Sequence, residues 1–376
     1  MTMSISKQHS QRLEFETSLP ETDSLEQLAT LGLTLSLSET DHLEQLAPLG
    51  VGTFGTVHLV AHSSPGSPLR FYAQKTMRKA RLAELGHLAK VHTEARLLAE
   101  CDHPFVARLH GVLENETSLQ LLLEPALGGE LYTLLSEAGS FPEPQAVLYA
   151  AMLVSALEHL HARRIAYGDL KPENILLDAV GYLKLVDFGS ATRVDEDRGS
   201  QPCCGTLPYM APCLVLCEPN GVGVDWWALG IVIYEMLVGR LPFSSDDDFV
   251  LRSQIVVGAV NYPAGWSAPT RDLVAELLRD TPGERLGCGP DGAAGVKCHR
   301  AFSAIEWSAL VEKRIPTPWL PNLKYELDMS RFAMHLANVE DARFDDLGPS
   351  YYASSRSNNS RRSADCGDIE DAYCDS

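Results

Sequence analysis

Long apolar runs, paired cysteines and an excess of basic charge are all missing from this 376-residue chain. Its most apolar stretch, Ala228 to Gly239, contains Glu235 and is too short to cross a bilayer, so no stable membrane insertion is expected. Residues 1–20 carry polar and charged groups throughout, without the apolar centre of a secretion signal, and Thr2 excludes the usual N-myristoylation signal. The nine cysteines are odd in number and lack the CxxC spacing of a zinc site, a pattern expected of reduced thiols inside the cell, in the cytoplasm or nucleus. With 31 basic against 50 acidic residues the net charge is -19, which argues against a nucleic-acid partner and favours basic substrates by steering.

What is present is enough for a large core: 45 % hydrophobic residues over a length that suggests two lobes with tails. Residues 1–42 form an expected N-terminal arm, polar at first and then partly duplicated. Thr22 to Gly32 recurs as Thr40 to Gly50 with nine of eleven positions identical, but only the second copy continues into a glycine-rich loop. Between the copies Leu31, Leu33, Leu35 and Leu37 alternate with small or polar residues, as in a strand.

Chemistry concentrates at Tyr167-Gly168-Asp169-Leu170-Lys171-Pro172-Glu173-Asn174, thirteen residues ahead of Asp187-Phe188-Gly189. An Asp can orient a hydroxyl and take its proton, a Lys can neutralise a phosphate, and Asn and Asp oxygens suit a hard cation. Upstream, Leu49-Gly50-Val51-Gly52-Thr53-Phe54-Gly55-Thr56-Val57 reads as strand, glycine turn, strand, where absent side chains let backbone N–H groups approach phosphate. Lys75 follows on the strand Phe71 to Met77, and Glu94 lies in a helix predicted from Leu85 to Cys101. A second long helix is predicted from Ala146 to Arg163.

This ordered set resembles the eukaryotic protein kinases. Asp225-Trp226-Trp227-Ala228-Leu229-Gly230, Glu284-Arg285-Leu286-Gly287, and Asp328-Met329-Ser330-Arg331-Phe332 after a proline-rich stretch are similar to the AGC group, notably the catalytic subunit of cyclic-AMP-dependent kinase and the catalytic part of cyclic-GMP-dependent kinase. The resemblance implies an α+β, bilobal kinase fold: a small antiparallel β-sheet lobe with one helix (43–124), a mainly helical lobe (125–302) and an AGC-type tail (303–376), expected to be disordered at its end. It implies ATP and Mg²⁺ as cofactors and phosphorylation of Ser or Thr. Asp169, Lys171, Lys75 and Glu94 would be catalytic, and Asn174 and Asp187 would hold the metal. Leu49, Gly50, Gly52, Thr53, Phe54 and Gly55 would cover the nucleotide. Val57, Ala73, Leu123, Glu124, Ala126, Leu176 and Phe332 would surround the adenine, while Leu98, Leu109, Tyr167 and Phe188 would stack between the lobes. Glu130, Glu173 and Glu235 fall where such kinases hold Arg residues preceding the phosphoacceptor, the first two also bordering the nucleotide, so basic protein or peptide substrates are expected. The chain has no room for cyclic-nucleotide domains, so any such control implies a separate regulatory subunit.

Three positions depart from the pattern. Gly168 replaces the Arg before the catalytic Asp, Pro202 falls where the phosphorylated Thr stands, and Cys213 replaces the Glu that pairs with the counterpart of Arg285. The first two losses are mutually consistent, and predict a loop needing no phosphate. The third predicts that Arg285 either finds another carboxylate or destabilises the lobe, at about 3 to 5 kcal/mol for a buried charge left unpaired. Together they keep open an alternative: a pseudokinase scaffold that binds nucleotide or partners without turnover.

Overall fold

The computed structural model describes residues 42–52, 55–194, 205–323, 328 and 331. The repeat's first copy, Thr53, Phe54, Ser200, Pro202, Cys203, Cys204, Phe332 and the C-terminal segment lie outside the described residues.

The first third of the chain builds a five-stranded antiparallel sheet from β1 (His42–Gly52), β2 (Gly55–Ser63), β3 (Arg70–Arg78), β4 (Leu109–Glu114) and β5 (Ser118–Leu123), in the order β1-β2-β3-β5-β4. Local turn chemistry sets these connections. Between β2 and β3, Pro65 presets its own φ, Gly66 takes φ +79, and Ser67 N donates to Ser64 O at 3.0 Å, as a type II turn requires. Between β4 and β5 the Asn115 Oδ1 accepts from Thr117 N at 2.9 Å and Ser118 N at 2.7 Å, closing an Asx turn.

Two helices follow β3: α1 (Lys79–Glu84) and α2 (Leu88–Ala99). The single helix predicted from residue 85 is thereby corrected at its start. Gly86 sits at φ +68, a left-handed conformation that interrupts the helical path, so α2 begins only at Leu88. Its Val91, Ala95, Leu97 and Leu98 are buried, as the apolar stripe requires.

The larger lobe is mostly helical: α3 (Leu131–Ala138), α4 (Glu143–His161), α5 (Pro212–Val215), α6 (Gly223–Val238), α7 (Asp248–Val257), α8 (Ala268–Leu277), α9 (Gly292–Lys297) and α10 (Trp307–Val311). Helices α4 and α6 are apolar on nearly every face, which water would not tolerate, and they occupy the centre. Helix α6 stops at Gly239, φ +75, where an added Cβ would lie 1.8 Å from Gly139 O. Among the described residues no helix is long and apolar enough to cross a membrane.

Small sheets floor the space between the lobes. β6 (Gly129–Glu130), β8 (Ile175–Leu177) and β9 (Leu183–Leu185) form one, and β7 (Ile165–Ala166) pairs with β10 (Thr192–Arg193) in the other. One continuous hydrophobic cluster joins both lobes and contains Leu98, Leu109, Tyr167 and Phe188. The Tyr167 and Phe188 rings meet edge to face with centroids 5.4 Å apart.

Residues 303–323 continue over the large lobe. Leu310 is fully buried, and Tyr182 Oη donates to Ile315 O at 2.7 Å.

Candidate active site

The loop between β7 and β8 carries Asp169, Lys171, Glu173 and Asn174. Its backbone is fastened from beneath by Asp225, in the first turn of α6: Oδ2 accepts from Tyr167 N and Oδ1 from Gly168 N, each at 2.8 Å. His161 at the end of α4 reaches the same Oδ2 at 2.8 Å. The buried Asp225 carboxylate thus satisfies two backbone donors and one ring, which is how a charge 1 % exposed is tolerated.

Above that anchor the loop side chains converge. Asp169 Oδ1 accepts from Thr206 N at 2.8 Å and Thr206 Oγ1 at 2.7 Å, while Oδ2 meets Lys171 Nζ at 2.8 Å. Lys171 Nζ also donates to Thr206 Oγ1 at 2.7 Å. Asn174 Nδ2 donates to Asp169 O at 2.9 Å and Oδ2 at 3.1 Å, so the amide nitrogen is engaged and its oxygen is the atom left for a cation.

A second constellation faces it from the small lobe. Lys75 Nζ lies 2.7 Å from Glu94 Oε1 and 3.1 Å from Asp187 Oδ1. Burial pulls the Lys75 ammonium down, but the two carboxylates outweigh it and leave its pKa raised. Burial also pushes the Glu94 carboxyl up, against the opposing pull of Lys75. Asp187 is held below the usual carboxylate range chiefly by the Lys75 charge, and its side chain is 52 % exposed. Its φ of +54 turns it out of β9's path toward the space between the lobes.

Sheet register lines up the remaining positions. Val57 pairs with Lys75, Ala73 with Leu123, and Glu130 with Leu176. Ala126 is buried directly after the inter-lobe link at Glu124. Leu49, Gly50 and Gly52 lie on β1, with Gly52 opposite Gly55. Gly55 has a packing reason for being glycine, since a Cβ there would come within 1.8 Å of Thr76 O on β3.

Glu173 and Glu235 lie close enough for the Glu173 charge to act on Glu235. Glu173 Oε2 is buried with no hydrogen-bond partner among the described residues. Glu235 Oε2 accepts from Tyr209 Oη at 2.7 Å, and burial, reinforced by the Glu173 charge, pushes its pKa up to about 7.

Two relationships escaped sequence reasoning. Asp225 was visible only as part of a motif, since nothing in local spacing ties it to residues 167 and 168. Lys184, 5 % exposed on β9, reaches Glu124 Oε2 at 2.7 Å behind the inter-lobe link, and a Lys inside an apolar strand gave no hint of its partner.

A protein kinase domain model matches residues 43–299. The chain belongs to the protein kinase family. It is 41% identical over 284 residues to the cAMP-dependent protein kinase catalytic subunit of Dictyostelium discoideum, covering 76% of this chain and 43% of that protein. Against the human cAMP-dependent protein kinase catalytic subunit PRKX it is 38% identical over 290 residues, covering 77% and 80% respectively. Against human RAC-beta serine/threonine-protein kinase it is 37% identical over 303 residues, covering 79% and 62%. The kinase therefore spans less than half the length of the Dictyostelium relative and four fifths of PRKX. The bilobal α+β fold and the AGC resemblance read from its motifs agree with these relatives, whose family uses ATP and Mg²⁺.

The structure corrects the expectation that Arg285 pairs with another carboxylate. It is 2 % exposed and has neither found a carboxylate among the described residues nor been left bare. Nε donates to Arg279 O at 2.9 Å, Nη1 to Gly223 O and Nη2 to Asp280 O at 3.0 Å each, and the Trp227 ring lies 5.3 Å from the guanidinium carbon. Backbone dipoles and a π face stand where the carboxylate would be, and burial still lowers the Arg285 pKa.

Proposed function

We propose that this kinase transfers phosphate from ATP to Ser or Thr in proteins, preferring sites preceded by Arg. The observation that carries the reading is the Asp169 carboxylate clamped between Thr206 and Lys171, on a loop whose next polar side chains are Glu173 and Asn174. Thr206 fixes Asp169 by two donors to one oxygen, so its second oxygen can meet an incoming hydroxyl and take its proton late in transfer. Lys171, bonded to both Asp169 and Thr206, sits where a cation can follow the transferring phosphoryl group. Lys75, aimed by Glu94, would hold the other phosphates of ATP.

The donor set fits Mg²⁺. Asp187 is ionised and half exposed, and the Asn174 amide oxygen is its counterpart on the loop; few protein oxygens and retained waters are what this cation prefers. When bound, Mg²⁺ would supply charge neutralisation along the phosphates.

Specificity for basic peptides is supported by the buried Glu173 oxygen, which has no hydrogen-bond partner among the described residues, and by the nearby Glu235: a guanidinium supplies the donor that Glu173 lacks. Independence from a loop phosphate is supported by Gly168, which has no side chain to grip one. Control by cyclic nucleotide would then act through a separate regulatory chain.

The test is transfer from labelled ATP to an Arg-Arg-x-Ser peptide by unphosphorylated protein, with Asp169→Ala as control. Transfer lost in the control supports the proposal. No transfer from folded, ATP-binding protein would put the non-catalytic scaffold in its place.

A further inference from the structure

The duplicated stretch is absorbed by neither the fold nor the site. Its second copy, residues 40–50, supplies most of β1, which stands at the edge of the sheet and, among the described residues, pairs with β2 alone. Within that copy Leu43, Ala47, Leu49 and Gly50 are partly buried, and the other residues whose burial is described are exposed. Leu43 packs against Val60, Tyr72, Leu113 and Leu122. All four inward positions recur in the first copy, as Leu25, Ala29, Leu31 and Gly32, and Val51, the next inward residue of β1, is matched by Leu33.

The mismatches fall elsewhere. Pro48, exposed in β1, is Thr30 in the first copy, which therefore has a backbone N–H and a strand-favouring side chain where the resident strand has neither. The other mismatch, His42 against Ser24, stands at the first residue of β1. An edge strand is held by backbone pairing, which a second segment of the same pattern can supply. Residues 33–54 would then connect the first copy to β2; closure cost grows only with the logarithm of loop length, so the longer connection weakens the exchange without forbidding it. What the first copy cannot supply is the glycine loop. Gly32 is followed by Leu33-Thr34-Leu35-Ser36-Leu37, whereas Gly50 is followed by Gly52 and Gly55.

We propose that residues 22–32 compete with β1 for the edge of β2 within one molecule, and that the exchanged strand withdraws Gly50 and Gly52 from the nucleotide. The second clause rests on the reading of residues 49–55 as nucleotide cover; the first does not. ATP, binding the resident arrangement better, shifts the population toward it.

Disulfide trapping in the full chain, with oxidised glutathione as oxidant, tests this. Pro48 stands opposite His58, so the exchanged strand sets Thr30 there. No native cysteine precedes Cys101, and the fragment 13–70 that trypsin releases holds only an introduced pair, whose state is read by mass. Thr30→Cys with His58→Cys should link within the chain faster than Ser36→Cys with His58→Cys, although Ser36 is nearer along the chain and random encounter favours it. Pro48→Cys with His58→Cys should also link, reporting the resident strand. Leu25→Asp should abolish the Thr30 link and spare the Pro48 link, and ATP with Mg²⁺ should slow the Thr30 link alone. A Thr30 pair that links no faster than the Ser36 pair, or as fast with Leu25→Asp, would overturn the exchange; a sixth strand laid outside β1 would give that result, since Thr30 would then stand a strand away from His58. A disulfide between two chains would move the exchange between copies and overturn it as stated. Where calorimetry shows ATP bound to the parent, a Thr30 link unchanged by ATP overturns the coupling to nucleotide. Where it shows none, the nucleotide reading fails, and the link without ATP still decides the exchange.

Discussion

Thr206 donates twice to the same oxygen of Asp169, from its N–H at 2.8 Å and its hydroxyl at 2.7 Å. The stretch that carries Thr206 is thereby tied to the loop without any charge from residue 168. One carboxylate oxygen is locked, and the other is shared between Lys171 and Asn174.

Asp169→Ala should lower phosphoryl transfer by about 10²- to 10⁴-fold, the usual worth of a positioned acid–base group. ATP affinity, measured by titration calorimetry, should change little, because Lys75 and Glu94 are untouched. A loss of binding as large as the loss of rate would contradict the assigned role.

Lys75→Met removes the partner of a Glu94 side chain that is 4 % exposed. A buried pair broken on one side costs about 3 to 5 kcal/mol, and the cost falls when the orphaned acid can take a proton. Without Lys75 the folded-state pKa of Glu94 rises further, so its neutral form is favoured at low pH and the penalty grows as pH rises. Urea denaturation of parent and variant at two pH values measures this difference.

The pH dependence of substrate binding should follow Glu235. Its pKa is raised from 4.5 to about 7, so it gains a proton as pH falls through 7 and the Glu173–Glu235 pair loses one of two charges. KM for an Arg-containing peptide should therefore rise on acidification, while KM for ATP does not. The stability term has the opposite sense: a raised folded-state pKa favours the fold fully below 4.5 and is lost as pH rises to about 7. Glu235→Gln should flatten both profiles.

Asp225→Ala leaves the N–H groups of Tyr167 and Gly168 without their acceptor. Each buried donor so stranded costs about 1 to 3 kcal/mol, and the loop they hold is the one carrying Asp169. A lower melting temperature and a fall in kcat larger than any change in ATP affinity are the expected outcome.

Restoring an arginine by Gly168→Arg should not improve activity. Gly168 adopts φ +79, and a Cβ there would lie 2.9 Å from Ser190 O. Left-handed strain of about 1 to 3 kcal/mol would accompany the new side chain. A variant more stable than the parent would show that the loop accommodates the residue differently.

Much of the site was legible in the sequence because its chemistry is local. Asp169, Lys171 and Asn174 share one short loop, Lys75 stands on a strand and Glu94 on an apolar-striped helix, and spacing alone orders them. Boundaries were less legible: α2 starts at Leu88 because Gly86 takes a positive φ, a backbone state that a helical period does not encode.

What the sequence offered by itself was a set of candidate side chains and, through motifs that resemble the protein kinases, the two-lobed fold, since ordered motifs rest on residue type and spacing along the chain. Only the tertiary structure decided how buried charges are answered. Arg285 is met by three carbonyls and a Trp ring, Lys184 finds Glu124 sixty residues away, and Asp225 caps a loop almost as distant. A buried charge must be compensated by whatever packing brings within about 3 Å, and chain order does not specify those neighbours.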